Sequence, residues 1–272
     1  MKKIKNNFGV DALSQTGILL SNEELRLIIA GNSVKYGNYG ISLLDDNGEL
    51  LRYVSYSEME SNGNLGSDFN MAWGYIPGYS PSSWGHYSSF YGSSFGSYDS
   101  SVLEKLSSSM LCYMDQHNIG IEGGNPLGPV ECVNHNYNSG DNTIHLNNGI
   151  PVGYGELVHE FTHAYQQNEG MLGDRIYREF ESYMAQKIAL AATGGGYSGV
   201  FENFATQVVD YDINSDSLYV NMARFKAGLK AQFEDFKNNY KSYYNYETPS
   251  GSYDSYNFNW EGLFRTIGIK MR

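Results

Sequence analysis

From residue 101 onward, apolar residues recur at helical spacing in stretches set apart by Gly, Asn and Ser. Leu103, Leu106, Met110 and Met114 predict a helix over residues 101–116. Leu157, Val158, Phe161 and Ala164 supply the apolar side of a second helix, which starts near Gly155 and which Gly170 can stop. Ile176, Phe180, Tyr183, Met184 and Leu190 form the face of a third, with Asp174 as N-cap and Gly194-Gly195-Gly196 as terminator. A short helix is expected over 200–210. A longer one is expected over 216–238, striped by Leu218, Met222, Phe225, Leu229 and Phe233, and an amphipathic segment over 259–268. Residues 119–133 and 142–147 look like strands. Residues 34–57 alternate loosely around Asn47-Gly48, a hairpin signal. Together these elements predict an α+β fold.

Residues 58–100 break the pattern. Ser, Gly and Tyr dominate, and Asn, Gly and Pro interrupt every potential element, which predicts an extended linker. Its scattered aromatics, Trp73, Tyr75, Trp84, Tyr87, Phe90 and Tyr91, would alternatively let it dock over a cleft as a pro-segment.

Composition narrows the partners. The 272-residue chain carries a formal charge of −12. That disfavours nucleic acid, whose phosphates need a basic face, and an anionic membrane surface. No apolar run approaches the length of a membrane span. The 24 Tyr and 31 Gly fit an extracellular surface better than a compact cytosolic enzyme. Cys112 and Cys132 match no metal spacing; they are either a disulfide or two separate buried thiols.

The second helix carries the candidate chemistry: His159-Glu160-x-x-His163. Residues four apart share one helix face, so both imidazoles can bind one Zn²⁺ from the same side. Glu160, beside that face, is placed to act as general base. A hydrolytic zinc site takes a third protein ligand and leaves its fourth position open. The third helix offers Glu179 and Glu181, two apart and so on nearly opposite sides. Glu179 lies nearer the centre of the apolar face, beside Ile176 and Tyr183, and is preferred; Glu181 is the alternative.

His-Glu-x-x-His followed by a Glu on the next helix resembles the gluzincin branch of zinc metallopeptidases, over roughly residues 140–192. That branch commonly has Ala or Ser three residues after its Glu ligand; Glu179 with Ser182 matches, and Glu181 with Met184 does not. Many gluzincins also place Asp four residues after that Glu, to hold a zinc-bound His. Tyr183 stands there in this chain. The metzincin pattern fits less well, since Gln166 and Glu169 occupy its Gly and third-ligand positions. The resemblance implies a zincin-like domain over 101–272 that hydrolyses peptide or protein substrates with Zn²⁺. It also implies that the 142–147 strand lies along the cleft and pairs with extended substrate. On that strand, His145 is expected to be exposed. His86, His117 and His135 are assigned to loops without a role.

Residues 1–31 resemble the double-glycine leaders of bacteriocin-type precursors. Leu20-Ser21, Glu24-Leu25, Ile28 and Ala30-Gly31 stand at that family's offsets. The resemblance implies recognition and cleavage by the peptidase domain of an ABC exporter, and a secreted, extracellular mature chain. The expected organisation is therefore a leader (1–31), a β-rich then Gly/Ser/Tyr-rich segment (32–100) and a catalytic domain (101–272). The rival reading is a non-enzymatic exported bacteriocin-like or surface-binding protein with a vestigial metal helix. It accounts for leader and composition but not for an intact His159, Glu160 and His163, and it implies no bound zinc.

Overall fold

The computed structural model describes residues 33–45, 47–55, 100–103, 105–123, 134–147, 152–171, 173–195, 199, 201–244 and 251–272. The leader, nearly all of the Gly/Ser/Tyr-rich segment, His86 and Cys132 lie outside them. The chain separates into two compact units, residues 1–94 with 114–116, and residues 95–113 with 117–272. The described residues form a mixed α+β structure. No helix among them is long and apolar enough to cross a membrane.

In the first unit, β1 (Ser33–Tyr36), β2 (Gly40–Leu44) and β3 (Leu50–Ser55) form an antiparallel sheet in that order. The β2–β3 turn has the expected chemistry. The Asp45 carboxylate accepts from the Asn47 and Glu49 backbone N–H groups, and Gly48 takes a positive φ of 83°.

The second unit begins with a correction. The single helix expected over 101–116 is two, α1 (Ser100–Leu103) and α2 (Ser108–His117). Ser107 divides them: its Oγ accepts from the Met110 N–H at 3.2 Å, an N-cap bond, and donates to the Ile267 carbonyl at 2.7 Å. A hydroxyl that can bond the local backbone favours a cap over a helix interior. The apolar register survives the break, with Leu103, Leu106, Met110 and Met114 all buried. Cys112 is buried as well.

Next come β4 (Gly120–Gly123), β5 (Asn136–Asn138) and β6 (Thr143–Leu146), in the sheet order β4-β6-β5. β6 pairs parallel with β4 and antiparallel with β5. Both of its edges are therefore occupied, so it is not the strand that could add a substrate; among the described residues β4 and β5 are the edges, and β5 is the one at the cleft. All four residues of β6 are buried, which overturns the expected exposure of His145. The ring is held between carboxylates, with Nε2 3.0 Å from Asp141 and Nδ1 3.5 Å from Glu122. Such partners let a polar side chain occupy a strand covered on both faces.

Two long helices follow, α3 (Tyr154–Asn168) and α4 (Arg175–Ala192). Gly170 and Gly194 adopt the left-handed conformation at φ of 70° and 71°, ending each helix as expected. α3 packs on α4. They approach closely at Gly155, where an added methyl group would stand 2.8 Å from Leu190 Cδ1.

The expected helices around 200–238 are redistributed. α5 (Glu202–Val208) leads directly into β7 (Val209–Asp212), which pairs antiparallel with β8 (Ser217–Val220). Leu218 is thus a strand residue rather than the start of a helical stripe. The turn is made by Asp212, whose carboxylate accepts from the Asn214 N–H at 3.0 Å, and by Asp216 at a φ of 47°. α6 (Met222–Tyr244) starts only after Asn221, whose Oδ1 accepts from the Arg224 N–H at 3.1 Å. Phe225, Leu229, Phe233 and Phe236 form its buried stripe. α7 (Trp260–Ile267) is the expected amphipathic segment, capped by Asn259 and ended by Gly268.

The core of this unit is aromatic. Phe180 on α4 is ringed by Phe201, Phe233, Phe236, Phe258 and Trp260, with centroids 5.2–6.1 Å away. This cluster fixes the rotation of α4 and so decides where the residues flanking Phe180 point.

Candidate metal centre

α3 buries Leu157, Val158, Phe161 and Ala164 and turns its polar face to a cleft of about 680 Å³. His159, Glu160 and His163 line that cleft, together with Glu179, Tyr183 and Gln186 of α4 and residues 134–137 at β5. The two Nε2 atoms of His159 and His163 are 3.2 Å apart. Glu179 Oε2 stands 3.7 Å from the first and 3.8 Å from the second. Donors around a tetrahedral ion with bonds of about 2.0–2.2 Å are separated by about 3.3–3.6 Å. The three separations lie within about 0.2 Å of that range, a spread that small side-chain adjustments would close around Zn²⁺, and among the described residues this is the one such group.

The structure thus brings Glu179, and not Glu181, to the imidazoles. Arg175 Nε lies 3.2 Å from Glu179 Oε1, which leaves Oε2 facing His159 and His163. Glu181 points the other way, into the core, where its Oε2 accepts from Gln166 Nε2 at 2.9 Å. Glu169 is exposed and accepts from the Tyr113 hydroxyl at 2.8 Å, away from the cleft. Tyr183 stacks edge-on against His159, with centroids 4.5 Å apart. Burial, reinforced by the charge of His163, holds His159 well below the usual imidazole pKa, and burial lowers His163 too. Both are therefore neutral at pH 7, the state in which imidazole binds a metal.

Glu160 Oε2 accepts from the Tyr137 backbone N–H of β5 at 2.7 Å. Burial pushes its carboxyl up to about 8; the Tyr137 bond opposes this and the charge of Glu179 adds to it. A carboxyl whose folded pKa exceeds its unfolded value holds its proton longer when native. Folding stability is then lost as pH rises from about 4.5 towards 8, and the deficit persists above that. Metal-free Glu160→Gln protein is accordingly expected to be roughly 2–4 kcal/mol more stable than metal-free wild type at pH 9 and nearly equal to it at pH 4. Urea unfolding in the presence of a chelator at the two pH values checks this.

Sequence reasoning missed several residues here. His135, assigned to a loop without a role, is buried on the cleft wall; its Nδ1 accepts from the Asn147 N–H at 3.0 Å, so Nε2 carries the proton. No sequence signal selected it. Gln166 is hydrogen-bonded to His163 Nδ1 at 3.1 Å, and Ser182 Oγ lies 3.2 Å from the same nitrogen. The three-residue spacing of Gln166 from His163, one helix turn, was the available signal. Comparison of the chain with protein-family models, with curated proteins and with solved structures gave no match.

Proposed function

We propose that the protein is a zinc-dependent peptidase with a zincin-like catalytic domain, acting on peptide or protein substrates. The observation that carries this reading is the convergence of His159 Nε2, His163 Nε2 and Glu179 Oε2 beside Glu160 in one cleft. Bound there, Zn²⁺ would supply acidity to water and polarise the scissile carbonyl. Ionised beside that positive charge, which favours the carboxylate, Glu160 takes one proton from the attacking water and delivers it to the leaving amine, so that water's oxygen ends on the new carboxyl and the C–N bond breaks. The Tyr137 N–H aims the Glu160 carboxylate into the cleft. His135 and Tyr183 line the same cleft, and they are the residue types that could donate to the carbonyl oxygen as charge develops on it. The edge strand β5 gives an extended substrate a backbone to pair with. The leader-like residues 1–31 support export through an ABC transporter and action outside the cell.

Elemental analysis tests the reading. Purified wild type is expected to hold one zinc per chain, and His159→Ala, His163→Ala and Glu179→Ala to lose it. Wild type that stays zinc-free when zinc is supplied would overturn the proposal.

A further inference from the structure

Behind His163 lies a small buried network outside the ligand set. Gln166 Nε2 is 3.0 Å from the Arg178 carbonyl and 2.9 Å from Glu181 Oε2. A backbone carbonyl cannot donate a hydrogen bond, so the atom facing it must be the amide nitrogen. The orientation of the Gln166 amide is thereby determined, and its Oε1 must face His163 Nδ1. Ser182 repeats the logic. Its single hydroxyl proton goes to the same Arg178 carbonyl at 2.9 Å, so its oxygen presents lone pairs to His163 Nδ1. Two acceptors at Nδ1 leave one neutral tautomer for His163: the proton on Nδ1 and a bare lone pair on Nε2, directed towards His159 and Glu179.

Resting on the zinc reading above, we propose that Gln166 and Ser182 are positioning residues that lock His163 into its metal-binding tautomer before any metal arrives. The Arg178 carbonyl sets the direction of both, and Glu181 secures Gln166. This is the service a carboxylate gives at many zinc sites, where the outer partner fixes the tautomer and orientation of a ligand His. Here Tyr183 occupies the position from which the resemblance led one to expect that carboxylate. Tyr183 packs on His159, and the outer partner of His163 is instead an amide of its own helix, held from behind. Glu181 also acquires a role: it is fully buried, and Gln166 is the side chain it accepts from.

The test begins with the metal-free full chain, labelled with ¹⁵N at histidine, at a pH where His163 is neutral. Long-range ¹H–¹⁵N spectra are expected to show His163 as the Nδ1–H tautomer in wild type and as a mixture in Gln166→Leu. Zinc affinity, measured by competition with a chelator, is expected to fall about 10–100-fold in Gln166→Leu. It should fall in Glu181→Leu and be restored in Glu181→Gln, which keeps an oxygen for Gln166 to donate to. An Nε2–H tautomer in wild type would overturn the proposal, and that measurement needs no variant to fold. Unchanged zinc affinity in folded Gln166→Leu would overturn it too. Wild type without zinc affinity sinks the peptidase reading instead, and the tautomer measurement is independent of that outcome.

Discussion

Glu160→Gln is expected to keep zinc at the wild-type level and to lower peptide hydrolysis about 10²–10⁴-fold, the span a positioned general base contributes. The two effects separate because Glu160 stands outside the His159–His163–Glu179 triangle. Its carboxylate is engaged by the Tyr137 N–H and faces the cleft beside the imidazoles. Gln matches its size and still accepts from Tyr137, so the wall of the cleft is preserved. It cannot take a proton from water. Zinc by elemental analysis and kcat/KM on a mixed peptide library, measured on the same preparation, are the readouts. Full activity in this variant would end the proposed mechanism while leaving the metal site standing.

Phe180→Ala is expected to destabilise the protein by about 3–5 kcal/mol. The ring is fully buried and touches aromatic side chains from α6, from residues 201 and 258, and from the start of α7. These elements are far apart in the chain, so no local rearrangement closes the resulting cavity. Phe180→Leu should cost less, since it keeps much of the volume. The urea midpoint gives the comparison. Phe180 also lies between Glu179, at the cleft, and Glu181, behind Gln166. Loosening it should weaken zinc binding in molecules that remain folded, which competition with a chelator detects.

The helix that carries His159 and His163 was legible in the sequence because its determinants are local. His159 and His163 are one turn apart, the apolar residues repeat with the helical period, and Gly170 supplies the left-handed end. The same holds for the hairpin at Asn47-Gly48 and for α7, with Asn259 and Gly268 at its ends. Helix geometry also allowed only one of Glu179 and Glu181 to be the candidate third donor, since residues two apart diverge by roughly 200° around the axis.

Tertiary packing settled what period alone left open. Both glutamates turned out to be buried, one at the cleft and one against α3, because α4 is covered on several sides and Phe180 fixes its rotation. Sequence patterning assumes one apolar face per helix and cannot anticipate a buried carboxylate held by Gln166. β6 was misplaced for a related reason: alternation along a strand says nothing about its neighbours, and pairing with both β4 and β5 closed the edge and buried His145. Residues 217–220 became a strand because Asp212 and Asp216 build a turn that returns the chain to β7, so long-range pairing prevailed over helical periodicity. The orientation of His163 depends on a backbone carbonyl from another helix, a partner that no side-chain motif encodes.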